Sequence, residues 1–269
     1  MTSPFLHDGI GFNYEVFGKG AAVVFCHGLG GDLNQPRDLV GRLDGCRLVV
    51  WDARGHGLTE PLGPARGFNF ATFASDLHAL LDHLDIQRAV IGGISMGAGI
   101  AARFATDWPE RVRALVLMRP AWGNKPIPDN LRLFPVVAEY LGRFGGEKGL
   151  GEFLKLPGPQ SLRKQSACTF DSLCQQFSKH KAIERHIRLK AMPNDCPVTD
   201  WSPVERCIAP ALVVGNDPDP AHPLRLARLW AQHLPNARLV QVPTKSHGSD
   251  EHALAFRKHL ISFLEALEK

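Results

Sequence analysis

Six short apolar runs, each ending in a polar or glycine-rich turn, constrain this 269-residue chain more than any other feature. They are Ala21–Cys26, Arg47–Trp51, Ala89–Ile91, Ala114–Met118, Ala211–Val214 and Arg238–Val242. The runs are β-branched and apolar on both faces, which is the pattern of strands buried inside a parallel sheet. Parallel neighbours need crossover connections, and helical patterns supply them. Phe70–Leu84 places Phe70, Phe73, Leu77, Leu80, Leu81 and Leu84 on one face, and Ala253–Leu267 does the same with Phe256, Leu260, Phe263, Leu264 and Leu267. Gly97–Thr106 is short, small and apolar. The alternation predicts an α/β protein with a doubly wound, mostly parallel sheet covered by helices on both faces. Ligands of such sheets bind beyond the carboxyl ends of the strands, where the polar turns of this chain fall.

One stretch departs from the alternation. From about Trp122 to Trp201 no strand is legible, and Gly145-Gly146 and Pro157-Gly158-Pro159 punctuate helical patterns such as Leu131–Tyr140 and Cys174–Lys190. It reads as a helical cap insertion over residues 122–201, within a core made of residues 1–121 and 202–269. The cap carries 12 Lys or Arg and 8 Asp or Glu. Its excess of +4 equals the net charge of the whole chain, which is too mild and too dispersed for a nucleic-acid partner. The six cysteines form no C-x-x-C pair and read as reduced thiols. Met1–Gly11 lacks a basic segment followed by an apolar run, so it does not read as a signal peptide. No apolar stretch approaches the roughly 20 residues that span a bilayer. The expectation is a cytoplasmic protein acting on a small molecule, with no membrane or nucleic-acid partner; its oligomeric state is not legible.

Gly93-Ile94-Ser95-Met96-Gly97 carries the chemistry. It follows an apolar strand and precedes a small-residue helix, the context of a sharp turn that lifts a serine hydroxyl above the sheet. Flanking glycines suit the close backbone approach, and the helix N-terminus favours developing negative charge. A serine hydroxyl needs a base. His247, in Thr244-Lys245-Ser246-His247-Gly248 after the last strand, fits the order serine, acid, histidine. His7, His78, His83, His180, His233, His252 and His259 fall on polar helical faces or near a terminus and read as solvated. The acid that orients the imidazole is either Asp217 or Asp219, after the fifth run. His27-Gly28-Leu29-Gly30-Gly31 ends the first run; the N–H of Leu29 with that of Met96 would form an oxyanion hole. His27 itself reads as structural. A metal site from Asp217, Asp219 and His222 lacks any known ligand spacing, so none is expected.

These motifs together resemble the α/β-hydrolase superfamily over nearly all of the chain outside the cap. Members look like Pro, a strand, then Gly-x-x-Asp-Pro-x-x-Pro; matching Pro210, Pro220 and Pro223 makes Asp219 the acid, and Asp217 a loop-capping residue. The resemblance implies a loop-bracing role for Asp52-Ala53-Arg54-Gly55-His56-Gly57. With Ala79–Leu84, that segment is similar to small cofactor-free esterases and lactonases, the enol-lactone hydrolases among them. The oxyanion loop departs, with Leu29-Gly30 where those enzymes often carry serine or asparagine. A serine nucleophile argues against the dehalogenase and epoxide-hydrolase branches, which need a carboxylate there.

The expected activity is hydrolysis of a small carboxylic ester or lactone through an acyl-enzyme on Ser95, with no cofactor. Arg119, at the end of the fourth run, is a candidate to hold a substrate carboxylate. Two other readings share the fold: carbon–carbon bond hydrolysis of a ring-cleavage product, and a ligand-binding receptor with little turnover. Parallel ester and diketone assays separate the first. Absence of labelling by a fluorophosphonate identifies the second.

Overall fold

A computed structural model describes residues 5–268, except the side chain of His247. Nine strands are present among them: β1 (Phe5–His7), β2 (Ile10–Phe12), β3 (Tyr14–Gly18), β4 (Ala21–Cys26), β5 (Cys46–Trp51), β6 (Ala89–Ile94), β7 (Val112–Met118), β8 (Ala211–Gly215) and β9 (Ala237–Gln241). The six predicted runs are β4 to β9. They form a seven-stranded sheet with β3, in the order β3-β5-β4-β6-β7-β8-β9. Only β3 runs antiparallel, against β5. The pair β1–β2 is a separate antiparallel hairpin closed by Asp8 and Gly9, both at positive φ.

Successive side chains of a strand point to opposite faces, so each buried strand feeds two cores. On one face Val24, Val49, Ile91, Leu115 and Val213 meet the helices Phe70–His83, Met96–Asp107 and Leu224–His233. On the other, Val23, Phe25, Val50, Val116 and Val214 meet Asn34–Val40 and Ser249–Ala266. This two-sided cover is why the strands read as unbroken apolar runs.

No strand is described between Met118 and Ala211. Its helices include Leu133–Phe144, Gly146–Phe153, Pro157–Gln165, Ala167–Cys174 and Ile187–Ala191. The helix expected over Cys174–Lys190 does not form as one piece. A 3-10 turn covers Gln175–Phe177, and Lys181 takes a left-handed φ of 51°. Beyond it Arg185 and Arg188 reach away to donate to the carbonyls of Gly57 and Gly55, both at 2.6 Å. Backbone regularity is given up for those anchors. Leu131–Tyr140 begins as a 3-10 turn and becomes a helix only from Leu133, continuing to Phe144.

Candidate active site

Ser95 stands between β6 and the Met96–Asp107 helix with φ 57° and ψ −111°, a conformation costing a non-glycine residue about 1–3 kcal/mol. The glycines around it make the turn sterically feasible. A Cβ on Gly97 would lie 2.2 Å from the Cys26 carbonyl oxygen, and one on Gly93 would lie 2.2 Å from the Gly97 backbone. The Ser95 side chain is half-buried, and its Oγ makes no hydrogen bond to any described residue. It lines a cavity at the carboxyl ends of the strands.

Three of the four N–H groups from Gly28 to Gly31, in the turn after β4, are already used. Gly28 donates to Gln35 Oε1 at 2.7 Å, Gly30 to His56 Nε2 at 3.1 Å, and Gly31 to the Gly28 carbonyl at 2.9 Å. Leu29 is the one left without an acceptor among the described residues, as is Met96 on the first turn of its helix. Leu29 lines the cavity beside Ser95.

Burial distinguishes the two candidate acids. Asp217 is exposed, whereas Asp219 is buried and lines the cavity. Oδ1 of Asp219 accepts from the N–H groups of Ala221 and His222, each at 3.1 Å, and Oδ2 from Arg119 Nη1 at 3.2 Å. The His222 ring lies across both oxygens, its Nδ1 at 3.1 Å from Oδ1 and 3.0 Å from Oδ2. Burial alone would raise the Asp219 carboxyl; His222 and Arg119 outweigh it and hold the group well below the ordinary carboxylate range. Burial lowers the His222 imidazole, and Arg119 and Lys245 add to that against the pull of Asp219. The ring is therefore neutral, donates through Nδ1–H to Asp219, and keeps Nε2 as an acceptor.

His222 thus enters the site although the sequence had suggested it only as a metal ligand. Three-residue spacing after an aspartate, on an Asp-Pro-x-His-Pro turn, is the signal that could have found it. Asp217 does not join the two, so the suggested metal grouping does not assemble. Among the described residues the metal-type side chains that do cluster are His7, Asp8 and Asp76, and Asp76 is already clasped by Arg54 at 2.6 and 2.9 Å.

Arg119, at a left-handed φ of 47°, is spent partly on Asp219, and its buried Nε has no partner. Lys245 lines the same cavity with no carboxylate in ion-pair reach among the described residues, and burial, then Arg119, lower its ammonium. His247 closes the 3-10 turn Lys245–His247; its side chain lies outside the described residues. His252, expected to be solvated, is buried: it faces inward on the first turn of the last helix, with Nδ1 on the Pro243 carbonyl at 2.6 Å. Phe134, Ser166, Cys168, Thr169, Ser172 and Leu173 of the helical stretch complete the cavity wall.

The loop after β5 is braced as the resemblance implied. Asp52 accepts from Asn13 Nδ2, Leu33 N and Leu58 N at 2.7, 2.7 and 2.8 Å. His27 accepts from Ala53 N at 3.0 Å, a structural role.

Comparison with known proteins identifies the fold. A family model for the alpha/beta hydrolase fold matches residues 21–249. A putative non-heme bromoperoxidase, BpoC of Mycobacterium tuberculosis, is 31% identical over 96% of this chain and 99% of its own length. A putative non-heme chloroperoxidase of Synechocystis sp. is 40% identical, but that match spans 40% of this chain and 39% of the relative. The solved enol-lactonase of Burkholderia xenovorans LB400 superposes with a TM-score of 0.75 at 22% identity, over 96% of this chain and 98% of that one, a likeness of fold. No described helix is long and apolar enough to cross a membrane. On the match across its core and the serine turn at the carboxyl ends of its sheet, this chain belongs to the α/β-hydrolase fold family.

Proposed function

We propose that this protein hydrolyses a small carboxylic ester or lactone by acyl transfer to Ser95. The observation that carries the reading is a serine hydroxyl on a strained turn, without a hydrogen bond to any described residue, lining a cavity together with Leu29 and the buried Asp219. Ser95 Oγ attacks the carbonyl, and an imidazole oriented by Asp219 takes its proton and returns it to the leaving alkoxide. The N–H groups of Leu29 and Met96 receive the oxyanion; such donors are typically worth about 2.7–4 kcal/mol each. Water then cleaves the acyl-enzyme, with no further cofactor in the scheme. By chain order that imidazole is His247, which follows the last strand as the third member after the serine and the acid.

The cavity holds about 100 Å³. That is less than the ~150 Å³ that accommodates benzene in an engineered protein core, so a short acyl group suits it. Two cations, Arg119 and Lys245, face it with one carboxylate, Asp219, which favours an acidic substrate. In this reading residues 122–201 are the cap that sets acyl and alcohol preference.

The test is an ester and lactone panel, with a diketone beside it, run on wild type and Ser95→Ala. Loss of about 10⁴-fold or more in kcat/KM on an ester or lactone, at unchanged melting temperature, is expected. Equal turnover by both proteins sinks the reading, and turnover of the diketone alone moves it to carbon–carbon hydrolysis.

A further inference from the structure

We infer that Arg119 is a positioning residue of this site, acting on the reaction through Asp219 and not by holding a substrate carboxylate. The inference rests on the acyl-transfer reading and gives Arg119 a place in it.

The sequence made Arg119 a candidate partner for a substrate carboxylate, but its guanidinium is already committed. Nη1 donates to Asp219 Oδ2 at 3.2 Å, and only 8% and 7% of the two side chains are exposed. Among the described residues that is the one hydrogen bond of the Arg119 side chain, and Nε is buried out of reach of solvent. Little of the fork is left for a ligand. Lys245 lines the same cavity with no carboxylate in ion-pair reach among the described residues. Asp219 thus neutralises Arg119, and Lys245 is the cation that a substrate carboxylate can meet.

The backbone holds the guanidinium in place. Strand β7 ends at Met118, and Arg119 follows at a left-handed φ of 47°, a conformation that costs a non-glycine residue free energy. Its N–H donates to the Val214 carbonyl at 2.7 Å, and Val214 lies on the adjacent strand β8, whose loop carries Asp219. Cation and acid are therefore pinned to neighbouring strands.

What the acid gains follows from its donors. The N–H groups of Ala221 and His222 hold Oδ1. Oδ2 is met by Arg119 and by the His222 ring, whose Nδ1 reaches both oxygens. Of these two, only the guanidinium stays charged at every working pH. A bond to a charged donor is stronger than one between neutral groups, so Arg119 fixes the plane of the carboxylate. A buried carboxylate without a cation takes up a proton more readily, and a protonated acid cannot stabilise an imidazolium. Arg119 thus keeps Asp219 ionised and in one orientation while the base receives the serine proton.

The experiment measures kcat and KM for a neutral ester and a carboxylate-bearing isostere in Arg119→Met, Arg119→Lys, Asp219→Asn and the double variant Arg119→Met/Asp219→Asn. Arg119→Met is expected to lower kcat about 10- to 100-fold on both esters, with KM little changed on either. Arg119→Lys keeps a cation and should recover about threefold or more of that loss. Asp219→Asn should lose about 10³-fold or more. Adding Arg119→Met to it should cost less than about threefold further, because the cation has no carboxylate left to act on. The double variant removes both buried charges together, so it folds and carries the test even if Arg119→Met alone does not. A rise in KM confined to the carboxylate-bearing ester overturns the proposal and makes Arg119 a substrate-binding residue. Near-wild-type kcat in Arg119→Met or in Asp219→Asn also overturns it, as does a further loss of about tenfold or more in the double variant. Each of these leaves the Ser95 reading standing, whereas that reading falls only if Ser95→Ala retains activity.

Discussion

Two groups of polar side chains sit side by side at the carboxyl ends of the sheet, and they are finished differently. In the loop after β5, each side chain that matters structurally is engaged. Asp52 accepts three hydrogen bonds, Arg54 clasps Asp76 with two, and His56 joins the Gly30 N–H to the Arg54 carbonyl. Thr59 donates to the Asp52 carbonyl at 2.6 Å. In the neighbouring cavity, Ser95 Oγ and His222 Nε2 have no described partner, and the buried Arg119 Nε and Asn216 Oδ1 are left unsatisfied. A buried polar group without a partner costs free energy, so folding alone does not explain its retention. The contrast is local: the loop after β5 has its polar side chains engaged, and the cavity beside it gathers polar atoms that are not.

The comparison breaks most visibly at Asp52. Asp52→Ala strands three donors, that of Leu33 in a buried bond and those of Asn13 and Leu58 in part-buried ones, and should cost about 2–4 kcal/mol of stability in urea denaturation, with turnover per folded molecule little changed. A loss below about 1 kcal/mol would mean that the loop is not the scaffold described here. Acid sharpens the contrast next. Burial, as the largest influence, lowers His27, His56 and His222, and it takes His252 down to about 4. All four are neutral when folded and take up protons on unfolding once pH falls beneath about 6.5. Stability is therefore full above that pH and declines on acidification, with the His252 share lost between about 6.5 and about 4. Urea midpoints unchanged from pH 7 to pH 4.5 would contradict the buried, neutral rings. The smallest effect belongs to Lys245→Met. It should raise KM about three- to tenfold, ~1 kcal/mol, for a carboxylate-bearing ester and spare a neutral isostere. Equal shifts for both substrates would remove charge from the account.

Sequence made the central sheet legible because burial on both faces writes continuous apolar runs. It hid the first three strands, which lie at an edge or outside the main sheet; β3 is at most half-buried along its length. A signal for β1–β2 was nonetheless present, since Asp8-Gly9 is the dipeptide that a tight two-residue hairpin turn requires. The serine turn was readable from local spacing, whereas the preference for Asp219 over Asp217 came from the family resemblance. The place of His222 was not, because only the folded turn lays its ring across both Asp219 oxygens. The interrupted helix beyond Cys174 was missed for a related reason: its outcome is decided by carbonyls more than 120 residues earlier in the chain.

Those long-range anchors have a consequence for anyone exchanging parts between relatives. Arg185 and Arg188 clip the helical stretch to the carbonyls of Gly55, Gly57 and Thr59, and Gln176 lies flush against Gly30, next to Leu29. Residues 122–201 are thus not an independent cassette. A chimera that imports a foreign segment there inherits mismatched clips and loosens the very loop that presents the Leu29 amide. The smallest portable unit is the segment together with residues 52–60, and recombination breakpoints that part the two should be the least tolerated in this chain.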